Sequence, residues 1–183
     1  MKNRYLKIVW QLILIILLFA FQFSFIWGQF NFLNTINVVL LAIIFVLGFQ
    51  NLKQALLWAF FSGLLFDLYS FYPFGMNILV LVLLTLLANF LLNNFFTNRS
   101  LYSFLGLTFF STIIYNLIFH FFAYIINFFK YRADLFLLKG SFWQMLGLQV
   151  FLHLVLVFLI FHIINFFDFK FHPVSFSKKK KLK

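Results

Sequence analysis

Long apolar runs separated by short polar breaks constrain this chain more than any other feature. The runs occupy residues 6–27, 35–50, 53–71, 76–96, 101–129 and 141–167. A helix needs about 20 apolar residues to cross a bilayer. Only 9% of the 183 residues are charged, against roughly a quarter in soluble domains. The sequence therefore predicts an all-α integral membrane protein, a single domain folded as a polytopic bundle of about six transmembrane helices.

Positive charge is concentrated at the chain ends and in the short loops. A net charge of +11 would suggest nucleic acid in a soluble protein, but this placement is typical of a topology signal, so we expect no nucleic-acid partner. With both termini in the cytoplasm, only Lys130, Arg132 and Lys139 would lie outside. The positive-inside rule favours that orientation. The basic tail, residues 168–183, either binds anionic membrane lipid or only fixes the orientation.

The third predicted helix carries an ordered pattern of small residues. Ala55, Ala59, Gly63 and Asp67 fall four residues apart, so three small side chains and one carboxylate share a face. An ionisable residue inside a bilayer costs about 2.5–3.5 kcal/mol on insertion scales. Asp67 is therefore either a functional site or a carboxylate that locks the bundle by accepting hydrogen bonds from other helices.

A tight turn separates the third predicted helix from the fourth. Pro73 cannot extend a helix, and Gly75 permits the backbone angles that a tight turn needs. Polar residues then recur along the fourth helix: Asn77, Thr85, Asn89 and Asn93. A second polar stripe follows the fifth helix: Thr108, Thr112, Asn116, His120 and Tyr124. We expect this second stripe to face protein rather than lipid.

Residue patterns typical of enzymes and metal sites do not occur in this sequence. The chain has no cysteine, no HxxH, HxxxH or HExxH spacing and no Gly-rich phosphate loop. Asp67 is the single acid within a predicted span, so a mechanism with two carboxylates is not available in the membrane. We expect no catalytic residue, no metal and no cofactor, and we expect the histidines to form hydrogen bonds across helices.

The run GLLFDLYSFYPFGMN, with Gly63, Asp67, Leu68 and Gly75, resembles the third-helix and turn signature of MreD, the small membrane subunit of the bacterial rod-shape machinery. The short basic N-terminus, the chain length, about six spans and the basic tail fit the same family, so the resemblance covers nearly the whole chain. Many members also carry a proline near the start of the second span. This chain has none there, in NFLNTINVV.

The resemblance implies a non-enzymatic scaffold of the cell-elongation and peptidoglycan-synthesis complex in the bacterial cytoplasmic membrane. Its implied partners are MreC and, through MreC, the RodA glycosyltransferase, a class B penicillin-binding transpeptidase and MreB filaments. We expect the outer turn around Pro73 and the loop from Lys130 to Gly140 to meet MreC. The resemblance also implies a bundle similar to the substrate-binding S components of vitamin transporters, and this likeness leaves a small-molecule-binding subunit as the alternative.

In that alternative, the stripe on the fifth helix and the polar groups of the fourth would line an outward-facing pocket of a few hundred Å3. A lipid-handling protein is a third option, which rests on apolar bulk alone. Its mark would be an acyl-chain groove open to the bilayer. The candidate structural or interaction residues are Ala59, Gly63, Asp67, Pro73, Gly75, Asn77, Thr112, Asn116 and His120.

Overall fold

The computed structural model describes residues 2–26, 33–70, 72–96, 100–131 and 140–171. Its helices are α1 Lys2–Phe21, α2 Val38–Phe49, α3 Leu52–Tyr69, α4 Met76–Asn94, α5 Leu101–Tyr131 and α6 Gly140–Phe171. A π-helical turn, Gln22–Ile26, continues α1, and a 3-10 turn, Leu33–Thr35, precedes α2. The described part contains no strand, so it is all-helical as predicted. The Arg99 loop, residues 132–139 of the predicted interfacial segment and the tail from residue 172 lie outside it.

The helices differ in whether they can cross a bilayer. Within the described residues, three segments are long and apolar enough to do so alone: Met76–Asn94, Leu101–Ile125 and Phe142–Ile163. This finding supports a helical membrane protein. In contrast, α2 has only 12 residues, and at 1.5 Å per residue it spans about 18 Å of a hydrocarbon core of about 30 Å. The second predicted span, 35–50, is therefore too short to cross unaided.

The short helix α2 lies at the centre of the bundle. Its sequence, VVLLAIIFVLGF, contains no polar side chain, and most of its residues are buried. A helix that is apolar on every side belongs in an interior. It contacts α1, α3, α4 and α5. The longer helices therefore enclose α2 and shield it from the membrane.

Three pairs of helices that are neighbours in sequence run antiparallel: α1 with α2, α3 with α4, and α5 with α6. Gln22, just after α1, accepts a hydrogen bond from the start of α2, and Asp67, near the end of α3, accepts from the start of α4. Between α5 and α6, Thr112 contacts His153, and the later Asn116 contacts the earlier Gln149. One end of the bundle thus holds the ends of α1 and α3 and the starts of α2 and α4. We call it the Asp67 end.

The small-residue face of α3 is buried, as its spacing predicts. Ala55 and Ala59 are fully buried, and Asp67 is 5% exposed. A Cβ atom built at Gly63 would lie 2.6 Å from Cα of Ile78 and 2.8 Å from its backbone nitrogen. The backbones of α3 and α4 therefore touch at Gly63, and no larger residue fits there without moving a helix.

The polar stripe on α5 turns from the interior to the surface. Thr108 and Thr112 are fully buried, whereas Tyr124 is 41% exposed. A step of four residues overshoots one turn of 3.6 residues by about 40°, so four steps carry a stripe almost half-way around its helix. The prediction that the whole stripe faces protein is wrong for Tyr124. The stripe on α4 behaves alike, since Asn77 is buried and Asn93 is exposed.

Candidate functional site

Asp67 joins the end of α3 to the start of α4. Its Oδ2 atom accepts hydrogen bonds from the backbone N–H groups of Gly75 at 3.0 Å and Ile78 at 3.3 Å. Its Oδ1 atom accepts from the backbone N–H of Asn77 at 2.8 Å and from the Asn77 side-chain amide at 2.9 Å. The same amide also donates to the Ser70 hydroxyl at 3.3 Å. Both carboxylate oxygens are therefore engaged by the turn.

The start of α4 needs an acceptor from another element. Gly75 occupies the N-cap position with a φ of 96°, and it has no side chain that could accept a hydrogen bond. Exposed N–H groups at a helix start carry partial positive charge and favour an anion. Asp67 supplies this anion from the neighbouring helix. The geometry thus favours the bundle-locking interpretation of Asp67.

The start of α2 is held by three buried side chains. The Gln22 side-chain oxygen accepts from the N–H of Val39 at 3.1 Å, and the Asn37 side-chain oxygen accepts from the N–H of Leu40 at 2.9 Å. The N–H of Asn37 in turn donates to Nε2 of His153 at 3.0 Å. Donors at a helix start that are enclosed by protein or lipid cannot rely on bulk water, so side chains of other elements satisfy them.

His153 connects α6 to both α2 and α5, and it is completely buried. Because its Nε2 atom accepts from Asn37, the proton of the neutral ring lies on Nδ1. Nδ1 is 2.9 Å from the Thr112 hydroxyl, which donates to the Thr108 carbonyl at 2.8 Å. A protonated ring would also carry an N–H at Nε2, and this group would face the N–H of Asn37. The surroundings therefore require a neutral imidazole. The prediction that the histidines bond across helices is confirmed for His153.

A second connection between α5 and α6 lies closer to the Asp67 end. The side-chain amide of Asn116 donates to the Gln149 side-chain oxygen at 2.8 Å and to the Thr112 carbonyl at 2.8 Å. His120 bonds within its own helix, where its Nδ1 donates to the Asn116 carbonyl at 2.9 Å. Its ring packs on Phe142 with centroids 4.3 Å apart. No group of three possible metal ligands occurs among the described residues.

These polar side chains line a cavity of about 290 Å3 at the Asp67 end. Its hydrogen-bonding wall includes Gln22, Asn34, Asn37, Asn116, His120 and Gln149. A second cavity of about 140 Å3 shares Asn37 and Tyr115 with the first. It extends to Ser70 and Asn77, beside the locked turn. The two cavities are therefore adjacent, and their common wall is the pair Asn37 and Tyr115.

The predicted site residues fall into two groups in the structure. The first group lies along the contact between α3 and α4 and its turn: Ala59, Gly63, Asp67, Pro73, Gly75 and Asn77. The second group lies on α5: Thr112, Asn116 and His120. Asn116 and His120 line the larger cavity, and Asn77 borders the smaller one. Thr112 lies deeper and holds His153 instead.

Three residues of this polar region were not anticipated from the sequence. Asn37 directly precedes a purely apolar run, which is the ordinary position of an N-cap. Gln22 is a lone amide near the end of an apolar run, and its isolation was the available signal. Tyr115 gives no such signal, because tyrosine is common in apolar helices and its role depends on residues far away in sequence.

A third cavity is a wholly apolar surface groove of about 360 Å3 between α5 and α6. It is lined by Leu105, Phe151, Leu154, Val155 and Phe158. Lipid chains fill grooves of this kind on any membrane protein. The groove therefore gives no specific support to a lipid-handling role.

Apolar helices, a buried carboxylate at a helix start and amide side chains bonded between helices together define the class of this chain as a helical membrane protein. Comparisons with protein-family models, with curated proteins and with solved structures found no match in any of the three. The class therefore rests on the helices themselves, and membership of the MreD family enters as a proposal.

Proposed function

We propose that this chain is a non-enzymatic scaffold subunit of the bacterial cell-elongation complex, similar to MreD, which crosses the cytoplasmic membrane about six times with both termini inside. The observation that carries the proposal is the Asp67 lock, in which a buried carboxylate accepts hydrogen bonds from Gly75, Asn77 and Ile78. A carboxylate held in this way orients the backbone of a turn. A rigid turn suits docking, because a turn that is already ordered loses little conformational freedom when a partner binds.

The locked turn presents exposed side chains beyond the helix ends. Phe74 is 69% exposed, and Tyr72 and Pro73 are exposed beside it. Aromatic side chains are enriched in protein interfaces. We infer that the turn docks MreC and, through MreC, RodA, the class B penicillin-binding transpeptidase and MreB. The loop from Lys130 to Gly140 is proposed as the second contact from its position in the sequence.

Partner recovery tests the scaffold proposal. The chain is expressed together with MreC from the same genome and purified in mild detergent through a tag on one partner. We expect Phe74→Ser to lower the recovered MreC several-fold. Phe95→Ser is the matched control, because Phe95 is also 69% exposed but lies at the opposite end of α4. A wild-type chain that recovers no MreC would overturn the proposal, and equal losses from both variants would overturn the assignment of the turn.

Asp67→Asn should weaken both the fold and the complex. The new amide nitrogen is a donor and would face backbone N–H groups that now donate to Asp67, so some of these hydrogen bonds would be lost. Hydrogen bonds to a charged group contribute about 1.5–3 kcal/mol each. We expect a lower midpoint of thermal unfolding in detergent and less MreC in the purification. The control is Asn93→Asp at the exposed end of α4, which exchanges the same two residue types away from the turn. An Asp67→Asn chain with unchanged stability and partner recovery would contradict the lock.

A second candidate function, small-molecule binding as in vitamin transporters, is favoured by one observation. The cavity of about 290 Å3 is lined by Asn116 and His120, and ligand pockets generally measure about 300–1,000 Å3. The expected lining is only partly found, since Thr112 binds His153 and Tyr124 is exposed. A ligand that stabilises the purified chain without any protein partner would support this candidate.

A further inference from the structure

We propose that the two adjacent cavities at the Asp67 end form one binding site for an uncharged, planar heterocycle with a lactam or imide edge, that is, an N–H beside a ring carbonyl. The inference rests on the second candidate function and names its ligand class. The cavities measure about 290 and 140 Å3 and share the wall formed by Asn37 and Tyr115. A ring seated in one cavity could therefore reach into the other.

The larger cavity has carboxamide side chains whose orientation is fixed. The side-chain oxygen of Gln22 accepts a hydrogen bond from Val39, so its amide nitrogen is the group that remains to donate to a ligand. Asn116 uses its nitrogen twice as a donor, so its oxygen remains, whereas Gln149 accepts through its oxygen and keeps its nitrogen. None of these three remaining groups has a hydrogen bond within the described part of the chain. These three side chains thus offer two donors and one acceptor.

This set of groups is complementary to a lactam or imide. A ring carbonyl accepts from an amide N–H, and the neighbouring ring N–H donates to an amide oxygen. Asn and Gln side chains read the edges of nucleobases in this way, through paired donors and acceptors. Asn116 and Gln149 are already joined at 2.8 Å. Their remaining oxygen and nitrogen therefore lie on adjoining side chains, as adjoining groups of a ligand require.

The charge of the lining favours an uncharged ligand. Of the described residues that line either cavity, none is an aspartate, a glutamate, a lysine or an arginine. An ion transferred from water into such a site would find no opposite charge, and this transfer is costly. Phosphate esters and carboxylates are therefore poor candidates.

The smaller cavity supplies flat surfaces for a ring. Most of its lining is aromatic: Phe66, Tyr69, Tyr72, Tyr115 and Phe119. The Phe119 ring lies 5.1 Å from Tyr72 and 6.1 Å from Tyr115, measured between centroids. Aromatic side chains bind planar heterocycles by stacking. A planar ligand can thus place its hydrogen-bonding edge on the carboxamides and its ring between these side chains.

Thermal unfolding of the purified full-length chain in detergent tests the ligand class. The probes are uracil and quinazoline-2,4-dione, two uncharged imides of different size. 1,3-Dimethyluracil has no ring N–H, orotate adds a carboxylate, and glucose is uncharged without a planar ring. We expect the two imides to raise the midpoint by about 2–4 °C or more at saturation. The other three compounds should leave the midpoint unchanged.

A pair of variants locates the binding. Leu146→Trp places a bulky ring in the larger cavity, and Leu148→Trp adds the same ring to α6 at a position that does not line the cavity. The imide-induced shift should disappear in Leu146→Trp and persist in Leu148→Trp. If Leu146→Trp does not fold, the comparison of uracil with 1,3-dimethyluracil on the unaltered chain still decides the question.

The outcomes separate this inference from the functions on which it builds. Stabilisation by orotate or glucose instead of the imides would overturn the ligand class and leave small-molecule binding standing. A chain that none of the five compounds stabilises would overturn the inference and remove the support for the second candidate function. Recovery of MreC is measured separately and is unaffected by either result.

Discussion

Asp67 is a charged residue that the membrane-embedded bundle buries without placing a cation against it in the turn. Its carboxylate receives four hydrogen bonds, three of them from the backbone at the start of α4. Hydrogen bonds to an ionised acceptor are roughly twice as strong as neutral ones, and the positive end of the helix dipole adds to them. Together these contacts offset the cost of removing the carboxylate from water. An acceptor from α3 is needed because Gly75 has no side chain to cap α4 itself.

Gly63 allows α3 and α4 to approach closely enough for Asp67 to reach the start of α4. Gly63→Ala should therefore be destabilising. The added Cβ would lie 2.6 Å from Cα of Ile78, a backbone atom that cannot move unless a helix does. Overpacking of this kind costs about 1–3 kcal/mol. The midpoint of unfolding in detergent should therefore fall. An increase in stability would show that α3 and α4 are farther apart than described.

Gly147→Ala is the matched control for this prediction. A Cβ at Gly147 meets no atom within 4 Å, and the residue lies on the exposed side of α6. Replacing an unconstrained helical glycine by alanine stabilises a helix by about 0.5–1 kcal/mol. The same chemical change should therefore have opposite signs at the two glycines.

Two helices, α2 and α4, begin at the Asp67 end inside the bundle, and each receives acceptors from other elements. Asp67 of α3 serves α4, while Gln22 after α1 and His153 of α6 serve the start of α2. An unsatisfied backbone donor in hydrocarbon costs several kcal/mol. These long-range caps therefore explain why polar side chains accumulate at this end of an otherwise apolar chain.

Thr112→Val tests the connection between α5 and α6. The Thr112 hydroxyl is 2.9 Å from Nδ1 of His153, so the change leaves a buried N–H without an acceptor. Such a group costs about 1–3 kcal/mol, and the unfolding midpoint should fall accordingly. Thr85→Val is the control, because Thr85 is equally buried but bonds only the Leu81 carbonyl of its own helix. Equal effects of the two changes would contradict the role assigned to His153.

How well a contact can be predicted from the sequence depends on how far apart its two residues lie along the chain. The buried face of α3 was predictable, because Ala59, Gly63 and Asp67 follow a local spacing that any helix converts into one face. The locking role of Asp67 was one of two interpretations, and its partners are within 11 residues. The cap from His153 to Asn37 spans 116 residues, and no local pattern encodes such a pair.

The length of α2 shows a second limit of prediction from composition. An apolar run at 35–50 is compatible with a short span or a core helix, and apolar content alone does not separate them. The structure makes it a helix of 12 residues enclosed by its neighbours. This arrangement explains the larger cavity, because the short central helix leaves unfilled space beyond its first residue, between α1, α5 and α6.

At the scale of the whole molecule, the two ends of the bundle differ. The Asp67 end holds the two adjacent cavities and the locked turn. The opposite end holds the contact between Gln11 and Gln50 and the start of α3 at Lys53. By the positive-inside rule, the distribution of lysine and arginine predicts that this opposite end lies in the cytoplasm. The Asp67 end, with the turn proposed to dock MreC and the proposed ligand site, would then face outward.

Cysteine accessibility tests this orientation, and the natural chain contains no cysteine that could interfere. Phe74→Cys lies on the exposed turn, and Asn94→Cys lies on the exposed opposite end of α4. In intact cells, a membrane-impermeant maleimide should label Phe74→Cys, whereas Asn94→Cys should react only after permeabilisation. The reverse pattern would place the turn and both cavities on the cytoplasmic side. Docking of MreC at an outer turn would then be excluded, and any ligand would have to come from the cytoplasm.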